Sequence, residues 1–173
     1  QTPENKAILS MEVAILKERN NIKITRKEFN ETDYVVLDFS SSKLLISGGQ
    51  SFHSYTTDIL LQSQKCFETM SGILEAEGFE YSDVIRQWNY IEKITGYTDK
   101  NGCQNQHYQV FNDVRSMYYK KSNFKNGYPA ATGIGTYSGG VIIDFFALKS
   151  DYQTKIQPIK NPVQVDAHKY SEE

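Results

Sequence analysis

Apolar residues come in short bursts over the first forty positions, "AILSMEVAIL", "NIKIT" and "YVVLDF", separated by "KERN" and "FNETD". Bursts of that length between polar turn residues predict a β-meander. "KLLISGG" adds a further strand and ends on Gly48 and Gly49, where the backbone must bend or another group must come close. From Thr56 to Ala76 the spacing changes. Ile59, Cys66, Met70 and Ile73, with Leu60, Phe67 and Leu74 beside them, recur at the three, four and seven spacing of one helix face. Asp58 suits the positive end of that helix, and Gly78 stops it.

The period then returns to two. In "SDVIRQWNYIEKI", Val84, Arg86, Trp88, Tyr90 and Glu92 fall on one side and Ile85, Gln87, Asn89 and Ile91 on the other, dense in the β-branched and aromatic residues of a strand. "TGYTDKNGCQNQ" reads as a polar loop. His107 to Lys120 puts Val110, Phe111, Val114, Met117 and Tyr118 on one stripe, which predicts a second helix. Tyr128 to Thr136 reads as strand or loop, Ser138 to Gly140 as a turn, and Val141 to Leu148 as a buried strand.

The order strands, helix, strand, helix, strands predicts a two-layer α+β domain over residues 1–150, a mixed sheet with two α-helices packed on one face. Residues 151–173, Pro-spaced and charged, read as a C-terminal arm. The sheet's other face is still apolar and calls for a partner, so association is expected; periodicity does not choose three copies over two.

Composition narrows the function classes. Nineteen Lys and Arg against 21 Asp and Glu leave a formal charge of -2, so electrostatics give no reason to expect nucleic acid. The lysines of "YYKKSNFK" make a local basic patch, read as a solvated helix end or a phosphate-binding surface. Cys66 and Cys103 are far apart, without a CxxC or a His cluster, which argues against a structural zinc and a disulfide framework and fits a reducing cytoplasm. The chain opens with Gln and shows neither a signal-peptide core nor an apolar run long enough to cross a bilayer, which predicts a soluble, excised piece of protein. His53, His107 and His168 have no carboxylate at metal or triad spacing, and Ser47 and Ser51 have no visible base.

One carboxylate stands out. Asp144 lies midway through "VIIDFFAL". In a dry site such a group gains affinity for its proton and can donate it; met by Arg or backbone N–H groups it is a satisfied anion.

"LLISGGQS", "DVIRQWNYIEKI", "YQVFNDVRSMYY", "YPAATGIGT" running into "VIIDFFALK", and the tail "NPVQVDAHKY" occur in an order that resembles the YjgF/RidA superfamily and, within it, the chorismatase-like branch. The resemblance runs from Leu44 to Tyr170. It implies an α+β domain resembling chorismate mutase, commonly trimeric, with clefts between neighbouring sheets. Chorismatase-like enzymes carry two such domains, so this chain is expected to be either one half of a longer protein, its C-terminal half, or a domain that assembles from copies. The implied activity is a cofactor-free lyase or hydrolase acting on chorismate or a related small aromatic-precursor carboxylate. The alternatives are a non-catalytic ligand-binding or partner subunit and, behind it, an enamine/imine deaminase.

The deaminase branch carries an Arg directly after Pro-Ala to clamp a carboxylate, and Ala131 stands there. Its final strand carries a Glu that positions water, and Asp144 matches it one methylene short, a shift of about 1 to 1.5 Å. The resemblance makes Asp144 the candidate acid, Arg115 the carboxylate anchor, and Thr132 with Gly133 the donors, beside Ala131 and Tyr128. Trp88 and Tyr90 share a strand face as a stacking wall. Each has a plainer reading: a buried anion for Asp144, a helix salt bridge to Glu92 or Asp113 for Arg115, close chain crossing for the small residues, and packing for the aromatics. Arg86 could supply the anchoring charge, or solubilise an edge strand.

Overall fold

A computed structural model describes residues 22–100, 103–124 and 127–151, with the single positions 13, 15 and 156. "AILSMEVAIL" and the arm beyond residue 151 lie outside the described residues, apart from those single positions.

Strands β1 (Lys23–Phe29), β2 (Thr32–Asp38) and β3 (Ser42–Ser51) form the expected meander. The β1–β2 turn needs only Asn30 and Glu31, both left-handed at φ 47° and 61°, and Phe29 pairs with Thr32 across it. Two such residues match the right-handed twist of a hairpin. Helix α1 (Ile59–Ala76) starts three residues later than its periodicity suggests, because Asp58 is the cap and its carboxylate accepts the N–H groups of Leu60 and Leu61. It ends where Gly78 turns left-handed and the Phe79 N–H reaches back to the Leu74 carbonyl.

Strand β4 (Val84–Glu92) leads to a hairpin, β5 (Tyr97–Lys100) and β6 (Cys103–Gln106), where the sequence reads as a polar loop. No apolar alternation marks it. It is pinned from outside: the His107 imidazole meets the Glu92 carbonyl at 2.8 Å through Nδ1 and the Thr98 hydroxyl at 2.9 Å through Nε2. A carbonyl only accepts, so Nδ1 carries the proton. Helix α2 (His107–Tyr119) follows at once. Phe111 and Val114 are buried as expected, whereas Met117, counted on the same stripe, is 59% exposed. Strand β7 (Ala130–Thr136) and strand β8 (Val141–Ser150) complete the described sheet.

The main sheet runs β1-β2-β3-β8-β4-β7, antiparallel except for the β4–β7 pair that α2 connects. Both helices cover one face. Tyr34, Val36, Leu45, Ile91, Val141, Ile143, Phe145 and Ala147 meet Cys66, Phe67, Met70, Ile73, Phe111 and Val114 in a single core. This is the α+β class the pattern predicts. Among the described residues no helix is long and apolar enough to cross a membrane.

The alternation in β8 shows what interrupts "VIIDFFAL". Residues 141, 143, 145 and 147 are buried under the helices, and Ile142, Asp144, Phe146 and Leu148 point the other way, half-buried. Asp144 therefore belongs to the sheet face that neither α1 nor α2 covers. Leu44, Ile46, Trp88, Tyr90 and Ile134 share that face, and it is apolar as expected.

Candidate functional site

The open face is organised around a row that crosses four strands. Trp88 of β4 pairs with Asp144 of β8 on one side and with Thr132 of β7 on the other. Beyond Asp144, β3 bulges between Ser47 and Gln50, which leaves Gly48 and Gly49 opposite the carboxylate. The Gly49 N–H donates to Asp144 Oδ1 at 2.6 Å. A Cβ on Gly48 would stand 3.3 Å from the same oxygen. The double glycine thus does both things its sequence suggests: it bends the strand and admits a close neighbour.

One backbone N–H on Oδ1 is a contact of the kind that the buried-anion reading of Asp144 calls for. The carboxylate still lies on a half-open face, one register step from an indole. Trp88 meets Phe146 edge-on, with centroids 5.0 Å apart and planes at 70°. Tyr90 continues the same face, opposite Ile142 and Ile134.

Arg86 joins this group although sequence reasoning placed it second. β4 lies between β8 and β7, so the edge-strand explanation for its charge fails. Its guanidinium carbon is 4.6 Å from the Trp88 ring centroid, and Nη2 donates to Thr132 Oγ1 at 2.7 Å. The signal available was its period-two spacing to Trp88; its central position depends on the β4–β7 crossover, which no local pattern carries.

The other predicted residues lie elsewhere. Alternation along β7 puts Ala131 and Gly133 on the helix side, where a Cβ on Gly133 would stand 3.2 Å from the Tyr108 ring of α2. Arg115 is on α2, its guanidinium 5.9 Å from the Tyr119 ring, and Tyr128 stacks on that same ring at 5.6 Å. The sheet therefore separates Asp144, Trp88, Tyr90 and Thr132 from Ala131, Gly133, Arg115 and Tyr128. Within one chain Arg115 and Asp144 do not share a pocket. Nor is Arg115 in the salt bridge offered as its plainer role: Asp113 accepts from Gln109 at 2.7 Å, and Glu92 takes the Gly140 N–H at 3.0 Å and faces Lys93.

Under α2 one run of buried polar groups is closed on itself. Tyr119 donates to Gln87 at 2.7 Å, and Gln87 donates to Asn89 at 2.5 Å, all three buried. Burial raises the Tyr119 phenol above its ordinary value, so it stays a donor. Cys66 is a buried free thiol pushed up to about 12 by burial, as a small core residue should be. Among the described residues no cluster of His, Cys, Asp and Glu is arranged to hold a metal. A hollow of about 640 Å³ lies at the far end of β2, β3 and β8, between Asp38, Lys43, Asp83, Lys149 and Asp151, away from the row around Asp144.

Comparison with known proteins gives this arrangement a context. The chain is 32% identical over 109 residues to a 3-hydroxybenzoate synthase of Streptomyces hygroscopicus, an alignment covering 62% of this chain and 30% of that enzyme. The match thus spans less than a third of the relative. A crystal structure of a chorismatase superposes with a TM-score of 0.48 at 22% identity, over 71% of this chain and 34% of that one. A YjgF family member from Neisseria meningitidis gives 0.49 at 14% identity, over 67% and 86%. The family model named Chorismatase FkbO/Hyg5-like, N-terminal matches residues 24–147, from the first described strand to Ala147 of β8. That is the N-terminal unit of such proteins, in place of the C-terminal half expected from the sequence. With most of its sheet and both helices inside the match, the chain belongs to the Chorismatase FkbO/Hyg5-like, N-terminal family.

Proposed function

We propose that this chain serves chorismatase-type chemistry, holding chorismate or a related small ring carboxylate against its open sheet face in a cleft completed by a sister domain or further copies. One observation carries this reading: Trp88 and Asp144 are direct cross-strand partners on the face opposite α1 and α2. The indole offers a flat apolar wall for the ring. Asp144, once protonated, delivers its proton to the methylene carbon of the enolpyruvyl ether. Water adds to the resulting oxocarbenium carbon, the hemiketal collapses, and pyruvate leaves with the ring hydroxyl restored. Thr132 and Tyr90 line the same wall, and no cofactor is required by this sequence of steps. The relative named above makes 3-hydroxybenzoate, which is a ring carboxylate of the same class.

A second reading, a non-catalytic ligand-binding or partner subunit, is favoured by the Gly49 N–H that already occupies Asp144. Pyruvate release from chorismate separates the two. The catalytic reading expects release by the wild-type protein and its loss in Asp144→Asn; equal release by the variant removes Asp144 from the reaction. Imine deamination stands behind both, since Ala131 replaces the clamping Arg and faces the helix layer. Hydrolysis of 2-aminoacrylate above the background rate is the result that would revive it. Association through the open face, as a trimer or with a sister domain, is tested by sedimentation of wild type against Ile46→Glu.

A further inference from the structure

We infer that Arg86 is the carboxylate anchor of the open face, and that its ligand is a planar ring monocarboxylate of the benzoate class lying against Trp88. The inference deepens the reading above and rests on the open face being a ligand face. Arg86 is half-buried on a central strand, with Phe146 as its cross-strand partner and Trp88 two residues along. Two contacts fix its guanidinium: the indole at 4.6 Å and the Thr132 hydroxyl at 2.7 Å. That hydroxyl uses one of five N–H donors.

Among the described residues Arg86 forms no ion pair. The closest carboxylate in register, Asp144, is a diagonal neighbour whose Oδ1 turns the other way, onto Gly49. Glu92 is at the distant end of β4 and is taken by Gly140 and Lys93. A half-buried guanidinium stacked on an indole is costly without an anion, and on a central strand it does not serve to blunt an edge. Its free fork matches the two oxygens of a carboxylate. A single cation suits a monoanion better than a phosphate dianion. The flanking indole and phenyl rings suit a flat apolar body attached to that carboxylate.

Trp88 is the sole tryptophan of the chain, so its emission reports on this face alone. Titration with benzoate is expected to change that emission saturably, and benzamide, of the same shape without the charge, to bind at least about tenfold more weakly. Arg86→Gln should lower benzoate affinity about ten- to a hundredfold, the usual effect of losing charge-assisted hydrogen bonds. Arg86→Lys, which keeps the charge and loses the fork, should fall between. Benzamide binding as well as benzoate, or Arg86→Gln binding like wild type, overturns the inference. So does a shift in sedimentation of Arg86→Gln with Trp88 silent to benzoate, which would give the guanidinium to a carboxylate of an adjoining subunit. Failure to release pyruvate from chorismate is a separate result: it removes the catalytic reading and leaves the benzoate response standing.

Discussion

The backbone N–H of Gly49 donates to Asp144 across a β-bulge, at 2.6 Å, on the sheet face opposite α1 and α2. The bond ties a chemical group to a structural feature, and substitutions can separate the two. Asn at position 144 keeps an oxygen for Gly49 and loses the charge; Ala keeps neither. Hydrogen bonds to charged groups contribute about 1.5–3 kcal/mol, and on this half-open face a loss of about 1 kcal/mol is expected for Asp144→Ala, with less for Asp144→Asn. Urea denaturation of both variants measures this. A loss of several kcal/mol in Asp144→Asn would mean that the charge itself holds the fold.

Glycine is needed for different reasons at two places on the same sheet. Gly49 is left-handed at φ 72° with open space where a Cβ would go, so Gly49→Ala pays for backbone strain alone, about 1–2 kcal/mol. Gly140 has φ 69°, and its Cβ would stand 2.0 Å from Gln62 Oε1, the atom that accepts the Val141 N–H at 2.7 Å. Gly140→Ala should therefore cost about 3 kcal/mol or more, strain plus a lost buried hydrogen bond. Comparable thermal midpoints for the two variants would refute the contrast.

What could be read in advance follows from which interactions are local. Helix α1 was legible because its apolar spacing, its Asp58 cap and its Gly78 stop all lie within a short stretch of chain. The hairpin after β4 was not, since "TGYTDKNGCQNQ" has no apolar alternation and is held by His107 from outside. Asp144 was singled out correctly as unusual, yet "VIIDFFAL" is apolar on both faces and does not reveal which face the acid joins. The same ambiguity hid Arg86, whose value depends on β7 lying beside β4 and not on any residue near it in sequence. Arg115 and Asp144 were grouped by resemblance, and the sheet keeps them apart within one chain.

Cys66 offers a test of the core. Its thiol is fully buried, pushed up to about 12, and close to the Gln50 and Val141 carbonyls at 3.4 and 3.7 Å. The thiolate is the reactive form, so in a Cys103→Ser background the native protein should resist thiol reagents at neutral pH and react fully in denaturant. Rapid labelling without denaturant would show that α1 opens readily from the sheet.

Acid stability should turn on Glu77, at the C-terminal end of α1. Its side chain is 4% exposed and holds Lys27 at 2.7 Å, Lys43 at 3.0 Å and the Tyr34 hydroxyl at 2.9 Å, joining β1, β2 and β3 to the helix. Burial pushes this carboxyl up, but the hydrogen bonds from Lys27, Lys43 and Tyr34 outweigh it and hold the group below its ordinary 4.5. A group depressed in the folded state binds its proton more readily in the unfolded chain, so its contribution is complete above about 4.5 and disappears as pH falls through the lower folded value. Unfolding free energy measured from neutral pH downward should therefore decline below about pH 4.5, and Glu77→Gln should flatten that part of the profile while lowering stability at neutral pH. The two lysines are partly exposed, so added salt should remove part of the difference. A Glu77→Gln profile parallel to wild type through the acid range would place the acid sensitivity on other carboxylates.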